Sequence, residues 1–327
     1  MMRFLCPFMM LVAALLTFPD AHAADTELSV SSPPGPLPGT LTVPAGDGPF
    51  PAVLLIAGSG PNDRDETIGP NKPFLDLARA LESHGIASFR YDKRTLVYGK
   101  NSRVDGVDDE VTGDALAALQ LLEKQPRIDN RRLFVLGHSL GGLMAPRIAT
   151  RAPEVAGVIL LAAPVTFDLD TVLRQMRYIL GVQHASPEQT EQLLAPVLGA
   201  RDALAHADSA HPPGGEFFHA PASYWLSFRG YDPVAVAKQL QRPLLILQGG
   251  SDYQVTPHDD FAQWQSAFAH DKRVTLREYP GLYHLFMPAG DPPSPSDYTK
   301  PGHVDPTVSN DIAQWIEKVP PAAPARR

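Results

Sequence analysis

Short and almost wholly apolar runs recur along this chain, separated by segments in which apolar residues have helical spacing. The runs are Ala52–Ala57, Leu133–Leu136, Gly157–Ala162 and Pro243–Leu247. A strand whose two faces are both covered by helices has this uninterrupted apolar character. We therefore predict an α/β fold with a mostly parallel central sheet flanked by helices.

The alternation of strands and helices is interrupted once. Residues 164–241 combine helical and irregular sequence with no convincing strand, and we interpret them as a helical cap inserted over the carboxyl edge of the sheet. The core then consists of residues 39–163 and 242–319. Residues 24–38, which are rich in proline and glycine, are predicted to be a linker, and residues 320–327 a tail.

The amino-terminal residues have the pattern of a secretory signal peptide. Arg3 precedes an apolar stretch at residues 4–18, and Ala21–Ala23 has the small-x-small character of a cleavage site. The stretch is shorter than the roughly 20 residues that span a bilayer. We therefore expect residues 1–23 to be removed, no stable membrane anchor to remain, and the mature protein to be periplasmic or secreted.

Charge and cysteine content exclude several classes of function. The formal net charge is −8 and no basic run is long enough to contact a phosphate backbone, so we expect no nucleic-acid partner. The only cysteine, Cys6, lies in the predicted signal peptide, so the mature chain is expected to have no disulfide and no thiol nucleophile. No H-E-x-x-H or calcium-loop pattern occurs, and we expect neither a metal nor another cofactor.

A glycine-rich segment, Gly137-His138-Ser139-Leu140-Gly141-Gly142, lies directly between a predicted buried strand and a predicted helix. The pattern G-x-S-x-G is weak by itself, but this context is the one that a serine nucleophile requires. Such a turn lifts the hydroxyl above the sheet, and the helix N-terminus places N–H groups where an oxyanion develops. We predict Ser139 to be the nucleophile; the alternative is a turn that only packs helix against strand. His138 is interpreted as a packing or supporting residue.

A serine nucleophile needs a base that takes its proton, and the base needs an acid that fixes its tautomer. In the fold that carries this serine turn, the acid and then the histidine follow the serine along the chain. His284 follows the last predicted strand and is the predicted base, with His303 as the alternative. Asp252 follows the strand before it and is the predicted acid. Its competitor, Asp168, is interpreted as a turn residue at the start of the cap.

Two backbone N–H groups are expected to form an oxyanion hole. One belongs to Leu140, and the other is expected in the loop after the first buried strand, where we predict the N–H of Ser59. The sequence Gly58-Ser59-Gly60 also resembles a phosphate loop, but no G-K-[ST] follows it. Charged residues in 62–66 and 91–94 are expected to hold these neighbouring loops together.

An aromatic cluster, Tyr224, Trp225, Phe228 and Tyr231, lies in the predicted cap. Its members either form the interior of the cap or line the pocket for the acyl or alcohol part of a substrate. Both interpretations remain open from the residues alone.

As a set, several segments resemble the exported bacterial α/β-hydrolases of the EstD carboxylesterase type. They are Gly58–Asp65, Tyr91–Arg94, Gly137–Gly142, Gln248–Asp252 and His284. The resemblance implies the α/β-hydrolase fold, hydrolysis of short-chain carboxylic esters, and the roles of nucleophile, acid and base for Ser139, Asp252 and His284. Two departures, Ala57 in place of a histidine and Thr95–Tyr98 in place of a glycine-rich segment, bear on pocket shape and substrate range.

These observations together predict a serine hydrolase that cleaves a small-molecule carboxylic ester through an acyl-enzyme intermediate. Two alternatives are kept. The first is a serine peptidase or amidase of the same fold, and the second is a non-catalytic binding protein that has retained the fold.

Overall fold

The computed structural model describes residues 24–322 of the 327-residue chain. The predicted signal peptide, residues 1–23, lies outside the described residues, as do residues 323–327 of the predicted tail. Within residues 24–322, no helix combines the length and the apolar character needed to cross a membrane.

The described residues contain ten strands, of which eight form the central sheet. In chain order the ten strands are β1 Ala24–Val30, β2 Leu37–Val43, β3 Phe50–Ile56, β4 Ala87–Tyr91, β5 Ile128–His138, β6 Val155–Leu161, β7 Glu216–Phe217, β8 Ala220–Pro221, β9 Leu244–Gly249 and β10 Val274–Tyr279. Across the sheet the order is β1-β2-β4-β3-β5-β6-β9-β10, while β7 and β8 form a separate hairpin. All pairings from β4 to β10 are parallel, and those made by β2 are antiparallel. The predicted, mostly parallel sheet is confirmed.

The described residues contain helices that flank this sheet on both faces and helices that lie between β6 and β9 in the chain. They are α1 Pro73–Ser83, α2 Arg94–Tyr98, α3 Gly113–Glu123, α4 Leu140–Arg151, α5 Leu169–Val182, α6 Pro187–Ala205, α7 Ala222–Leu226, α8 Pro233–Gln239, α9 Ala262–Phe268 and α10 Pro306–Lys318. Wider π-helical turns, Asp108–Thr112 and Pro257–Phe261, lead directly into α3 and α9.

Two apolar clusters lie on opposite faces of the sheet, and β3 contributes to both. Leu54 and Ile56 belong to the cluster covered by α3, α4 and α9, whereas Val53 and Leu55 belong to the cluster covered by α1 and α10. Successive side chains of a strand point to opposite faces, so a strand covered on both sides is apolar at every position. This is why the inner strands are visible in the sequence as uninterrupted apolar runs.

The chain between β6 and β9 holds α5 to α8 and the β7–β8 hairpin. It buries an apolar cluster of its own, to which Leu173 of α5, Val197 of α6 and Leu226 of α7 belong. The expectation that residues 164–241 contain no strand is wrong, because β7 and β8 pair there. Strands of two residues are too short to produce a periodic pattern in the sequence.

Residues 24–30 do not form the predicted linker, and that prediction is wrong for this part of the chain. They form β1, which pairs antiparallel with β2 along its whole length at the edge of the sheet. The hydroxyl of Thr40 in β2 donates to Glu27 of β1 at 2.7 Å. Polar and charged residues suit an edge strand, which therefore lacks the apolar run that reveals the inner strands.

Candidate active site

Ser139 is the single residue between β5 and α4. Its backbone has φ 52° and ψ −118°, a left-handed conformation that costs a non-glycine residue on the order of 1–3 kcal/mol. The N–H of Ser139 donates to the carbonyl of Leu161 at 2.9 Å, and its carbonyl accepts from the N–H of Leu143 at 2.9 Å. The turn is therefore held both by the neighbouring strand β6 and by the first turn of α4.

The glycines around Ser139 are required by close backbone packing. A Cβ atom on Gly137 would overlap the carbonyl of Gly141, and one on Gly141 would overlap the carbonyl of Ile56. A Cβ atom on Gly142 would lie 2.8 Å from the Cβ of Ala163. The spacing of the G-x-S-x-G pattern thus reflects the approach of α4 to β3 and β5.

His284 and Asp252 lie on the loops that follow β10 and β9, which are neighbouring parallel strands. Nδ1 of His284 is 2.7 Å from Oδ2 of Asp252, and both side chains are buried. A carboxylate only accepts hydrogen bonds, so Nδ1 carries a proton and Nε2 is left as the basic nitrogen. The structure therefore brings the predicted acid and the predicted base together, with the carboxylate at Nδ1 of the imidazole.

The carboxylate of Asp252 is surrounded by further donors. Its Oδ1 accepts from the backbone N–H groups of Gln254 at 2.8 Å and Val255 at 3.1 Å, and the side-chain amide of Gln248 lies 3.3 Å from Oδ2. Burial of a carboxylate is costly unless such donors replace water. Gln248, to which the sequence assigned no role of its own, therefore helps to satisfy the buried carboxylate of the acid.

The backbone of Gly58, after β3, is hydrogen-bonded on both sides. Its N–H donates to Oε1 of Glu66 at 2.6 Å, and its carbonyl accepts from Nζ of Lys93 at 2.8 Å and from the side-chain amide of Asn62 at 3.1 Å. In a trans peptide the C=O and the following N–H point in opposite directions, so the N–H of Ser59 points away from Lys93. A Cβ atom on Gly58 would lie 3.1 Å from the Cβ of Ser139, which places this peptide beside the serine.

Leu140 is the first residue of α4. The first N–H groups of a helix have no acceptor within the helix, so that of Leu140 is available to a substrate oxygen. One predicted oxyanion donor therefore directly follows Ser139 in the chain, and the other belongs to the residue after Gly58, which lies beside the serine.

A chain of buried polar groups links the Gly58 carbonyl to the segment between β6 and β9. Nζ of Lys93 is 2.9 Å from Oε1 of Glu110, and Oε2 of Glu110 accepts from the hydroxyl of Tyr224 in α7 at 2.6 Å. Lys93 and Glu110 are both buried. The burial and the charge of Glu110 raise the pKa of the Tyr224 phenol well above its usual range, so this hydroxyl remains a donor.

The charged loops after β3 and β4 hold one another as the sequence predicts. Arg64 forms a two-pronged ion pair with Asp92, with both N–O distances at 3.0 Å. Arg90 of β4 donates to Asp65 at 2.8 Å. Bidentate arginine–carboxylate pairs fix both partners in one plane, so these contacts set the path of the loop that contains Ser59.

The alternative base and acid lie elsewhere. His303 is exposed and its Nδ1 is 3.0 Å from Asp76, which follows the start of α1. Asp168 accepts from the N–H of Thr171 at 2.8 Å and caps the N-terminus of α5, the turn role that the sequence indicates for it.

Three of the four aromatic residues singled out between β6 and β9 line a cavity of about 330 Å³. Trp225 stacks on Phe167 with ring centroids 5.8 Å apart, Phe228 contacts the same ring at 4.9 Å, and Tyr231 donates to the carbonyl of Leu143 at 2.9 Å. The lining includes none of the three predicted triad residues, all of which belong to the described part of the chain. Leu143, on its wall, lies one helical turn after Ser139.

The proline-rich segment 286–303 packs against the loop of the predicted acid. Tyr298 makes edge contacts with the rings of Tyr253 and Tyr283, and Tyr178 of α5 donates to the carbonyl of Pro293 at 3.0 Å. Tyr253, beside Asp252, stacks on Tyr178 with ring centroids 4.9 Å apart. These contacts support the acid loop through aromatic packing.

Reasoning from the sequence did not identify Glu66, Lys93 or Glu110 as parts of the site. All three are buried, although each lies in a loop or helix start that the sequence presents as ordinary polar surface. Their partners are distant along the chain, since Glu66 contacts a residue 72 positions away and Glu110 one 114 positions away. No local pattern encodes such pairings.

Comparison with known proteins identifies an esterase as a relative of this chain. The chain is 40% identical over 283 residues to Esterase EstD of Thermotoga maritima, an alignment that covers 86% of this chain and 66% of that protein. The resemblance to EstD-type carboxylesterases is thereby confirmed, and the chain spans just under two thirds of that relative's length.

Solved structures and a family model complete the comparison. An esterase of Pyrococcus furiosus superposes with a TM-score of 0.57 at 15% identity, covering 91% of each chain. Est1E from Butyrivibrio proteoclasticus superposes with a TM-score of 0.55 at 15% identity, covering 89% of this chain and 96% of the other. A family model described as serine aminopeptidase, S33, matches residues 72–291. The chain therefore belongs to this family, Hydrolase_4, and has the α/β-hydrolase fold.

Proposed function

We propose that this protein is a serine hydrolase that cleaves carboxylic esters, with Ser139 as nucleophile, His284 as base and Asp252 as acid. The observation that carries the proposal is the 2.7 Å pairing of His284 with Asp252, at the same edge of the sheet as the strained serine turn. The 40% identity to an esterase supports an ester as the substrate, and the resemblance supports a small ester with a short acyl chain.

Acylation follows from the protonation state of the base. Nε2 of His284 takes the proton of the Ser139 hydroxyl while the serine oxygen attacks the ester carbonyl carbon. The N–H groups of Ser59 and Leu140 stabilise the oxyanion, and the charge of Asp252 stabilises the imidazolium. Collapse of the tetrahedral intermediate breaks the bond to the alcohol oxygen, which leaves with the proton from His284.

Deacylation repeats the sequence with water. His284 takes a proton from a water molecule as that water attacks the acyl-serine carbonyl, and the same two N–H groups stabilise the second oxyanion. When the intermediate collapses, the carboxylic acid leaves and the proton returns to the oxygen of Ser139.

The segment 164–241 acts, in this proposal, as a cap that controls access to the serine. Its own buried cluster, around Leu173 and Val197, supports a unit with an independent apolar interior. The aromatic cavity of about 330 Å³ beside Leu143 is of a size that holds small ligands. It is proposed to receive an apolar part of the substrate.

Export is a further part of the proposal. The basic residue, the apolar stretch and the small-x-small pattern within residues 1–23 support a signal peptide, and with it a periplasmic or secreted mature enzyme. Cell fractionation and N-terminal sequencing of the purified protein would test this: recovery in the cytosol with residues 1–23 intact would contradict it.

Replacement of Ser139 by alanine tests the catalytic role. Ser139→Ala is expected to lower kcat for p-nitrophenyl acetate by about 10⁴-fold or more while leaving the melting temperature close to that of the wild type. Ser59→Ala is the matched control, because it removes a serine hydroxyl but keeps the backbone N–H, and it is expected to retain most activity. Full activity in Ser139→Ala would overturn the assignment.

Amide hydrolysis is the second candidate, since the matching family model is described as a serine aminopeptidase. Esters and anilides that share an acyl group separate the two: an esterase hydrolyses p-nitrophenyl acetate and leaves p-nitroacetanilide and aminoacyl p-nitroanilides nearly untouched. Comparable kcat/KM on the anilides would favour the peptidase. If the protein is instead a non-catalytic binding protein, a fluorophosphonate probe will not label Ser139.

A further inference from the structure

A second buried acid–imidazole pair lies directly behind the predicted base. The ring of His138, the last residue of β5, lies with its centroid 4.6 Å from that of His284. Its Nδ1 is 2.9 Å from Oε1 of Glu66, and its Nε2 is 3.0 Å from the backbone carbonyl of His284. The two imidazoles therefore touch, and each has its own carboxylate.

The partners of His138 determine how many protons its ring carries. A backbone carbonyl only accepts, so Nε2 must donate to it, and an ionised Glu66 also requires a donor at Nδ1. The N–H of Gly58 donates to the same Oε1 of Glu66 at 2.6 Å, so this oxygen acts as an acceptor. Both contacts of the ring are satisfied when His138 is an imidazolium that donates from both nitrogens.

The surroundings of the pair are consistent with this state. Glu66 is 1% exposed and His138 is 5% exposed. Phe74, Leu77 and Phe286 line a small cavity together with these two residues. Burial would by itself lower the pKa of His138, but the charge and hydrogen bond of Glu66 together with the carbonyl of His284 outweigh it and raise that pKa.

Few other charged groups act on His138. Apart from Glu66, the titratable groups near its ring are His284, in contact with it, and Asp252, whose charge also favours the protonated form. Nearby apolar side chains exclude water, so these attractions are weakly screened.

We propose that Glu66 and protonated His138 form a positioning ion pair that holds the loop of the base and the loop of the oxyanion hole in register with each other. Glu66 holds the N–H of Gly58, the residue before the oxyanion donor Ser59. His138 holds the carbonyl of His284 itself. This inference rests on the proposed function and deepens it, because it names the groups that align its two halves.

The loop of the oxyanion hole and the loop of the base need such a connection because the strands that precede them are not neighbours in the sheet. β3, before Gly58, and β10, before His284, are separated by three strands in the sheet, and His138 ends one of them. Misplacement of a reacting group by about 1 Å can lower a rate about 10²-fold. Neither Glu66 nor His138 is assigned contact with the substrate, so both are positioning residues.

Two variants of His138 separate its two hydrogen bonds. The amide nitrogen of asparagine corresponds in position to Nδ1 of histidine, and that of glutamine to Nε2. His138→Asn therefore keeps a donor to Glu66 and loses the donor to His284, whereas His138→Gln does the reverse. Both lose the positive charge and one buried hydrogen bond, so their melting temperatures should be similar.

The expected result is a difference in kcat that stability does not explain. On p-nitrophenyl acetate, kcat of His138→Asn should be at least about tenfold lower than that of His138→Gln, with KM values within about twofold of each other. Equal kcat in the two variants, or activity that follows melting temperature alone, would overturn the positioning role.

Nitrogen-15 NMR of the histidine rings tests the ion pair in the unaltered protein. Both ring nitrogens of His138 should remain protonated at pH 7.5, and in Glu66→Gln the ring should become neutral at that pH. A neutral His138 in the wild type at pH 7.5 would overturn the ion pair. This measurement stands even where a variant fails to fold.

Wild type and Ser139→Ala, assayed beside these variants, distinguish failure of this inference from failure of the proposed function. Activity that survives in Ser139→Ala contradicts the function. Activity that is lost in Ser139→Ala but is equal in His138→Asn and His138→Gln contradicts only the inference. If no ester is hydrolysed, the rate of fluorophosphonate labelling of Ser139 replaces kcat in the comparison of the two His138 variants. If Ser139 reacts neither with esters nor with the fluorophosphonate, both the proposed function and this inference are overturned.

Discussion

At the scale of single residues, the space around Ser139 and its backbone conformation restrict which residues the serine turn can contain as strongly as the catalytic role does. Ser139 keeps a φ of 52°, which its neighbours impose, and Gly141 lies against the backbone of Ile56. The glycines of the serine turn therefore serve packing, while the serine alone carries the strain. A substitution at these glycines should act through structure before it acts through catalysis.

We predict opposite effects for alanine at two helical glycines. Gly141→Ala forces a methyl group into the carbonyl of Ile56 and should lower the free energy of unfolding by about 1–3 kcal/mol or prevent folding. Gly181→Ala, in α5, meets open space and should raise it by about 0.5–1 kcal/mol. Urea denaturation of both variants checks this, and equal effects would contradict the packing explanation.

The pair Glu66–His138 makes a prediction about the pH dependence of stability. The pKa of His138 is raised in the folded protein above its ordinary value of 6.5. The resulting stabilisation is fully present below pH 6.5, the value of the unfolded chain, and is lost as pH rises through the folded pKa. Glu66→Gln removes the main attraction, so its melting temperature should fall less than that of the wild type between neutral and alkaline pH.

Thermal melts of the two proteins across this range measure the difference. The control is Glu188→Gln, at an exposed position in the first turn of α6, which should follow the wild type. Parallel curves for wild type and Glu66→Gln would show that His138 is not held in its protonated form by Glu66.

At the scale of elements, the loops at the carboxyl edge of the sheet are joined by buried polar contacts. Lys93, after β4, holds the Gly58 carbonyl after β3, and Glu110 connects Lys93 to Tyr224 of α7. A change in α7 can therefore reach the Ser59 peptide through two hydrogen-bonded groups, without contact between α7 and the serine. We expect this link to couple the proposed cap to the predicted oxyanion hole.

Removal of one hydroxyl tests this link. Tyr224→Phe deletes the 2.6 Å hydrogen bond to Glu110 and is expected to lower kcat/KM for p-nitrophenyl acetate about 3–10-fold, because the charged pair behind the oxyanion loop loses a donor. Tyr279→Phe, which deletes a hydrogen bond to Asp311 of α10 instead, is the control. Equal activity in both variants would contradict the coupling.

The strands differed in how well they could be predicted from the sequence. The inner strands such as β3 and β6 were predicted because burial on two faces requires an apolar residue at every position. β1 was missed because an edge strand is exposed and polar, and β7 and β8 because two residues produce no periodicity. The positions of Asp252 and His284 at strand ends were predictable, because parallel strands bring their carboxyl ends to one edge.

At the scale of the whole molecule, β1 closes one edge of the sheet. Val30, its last residue, is fully buried, and nearly all of β2 is buried behind it. Without β1, the backbone groups of β2 would be unpaired and available to other chains. The segment predicted as a linker is thus part of the folded domain.

A shortened chain tests this role. A protein that begins at Ser31 should melt at a lower temperature than one that begins at Asp25, and it should aggregate on mild heating because the β2 edge is open. Calorimetry and light scattering on the two proteins measure both effects. Identical melting temperatures would mean that residues 24–30 contribute nothing to the fold.

Local patterns in the amino-acid sequence were enough to predict the fold class, the serine turn and the predicted acid and base. These patterns are apolar runs, glycines at fixed spacing around Ser139, and polar residues directly after strands. The contacts of Glu66 with His138 and of Lys93 with Gly58 could be found only in the folded structure. The free energy of a buried ion pair depends on which loops meet and on the exclusion of water between them. Neither property is present in a short stretch of residues.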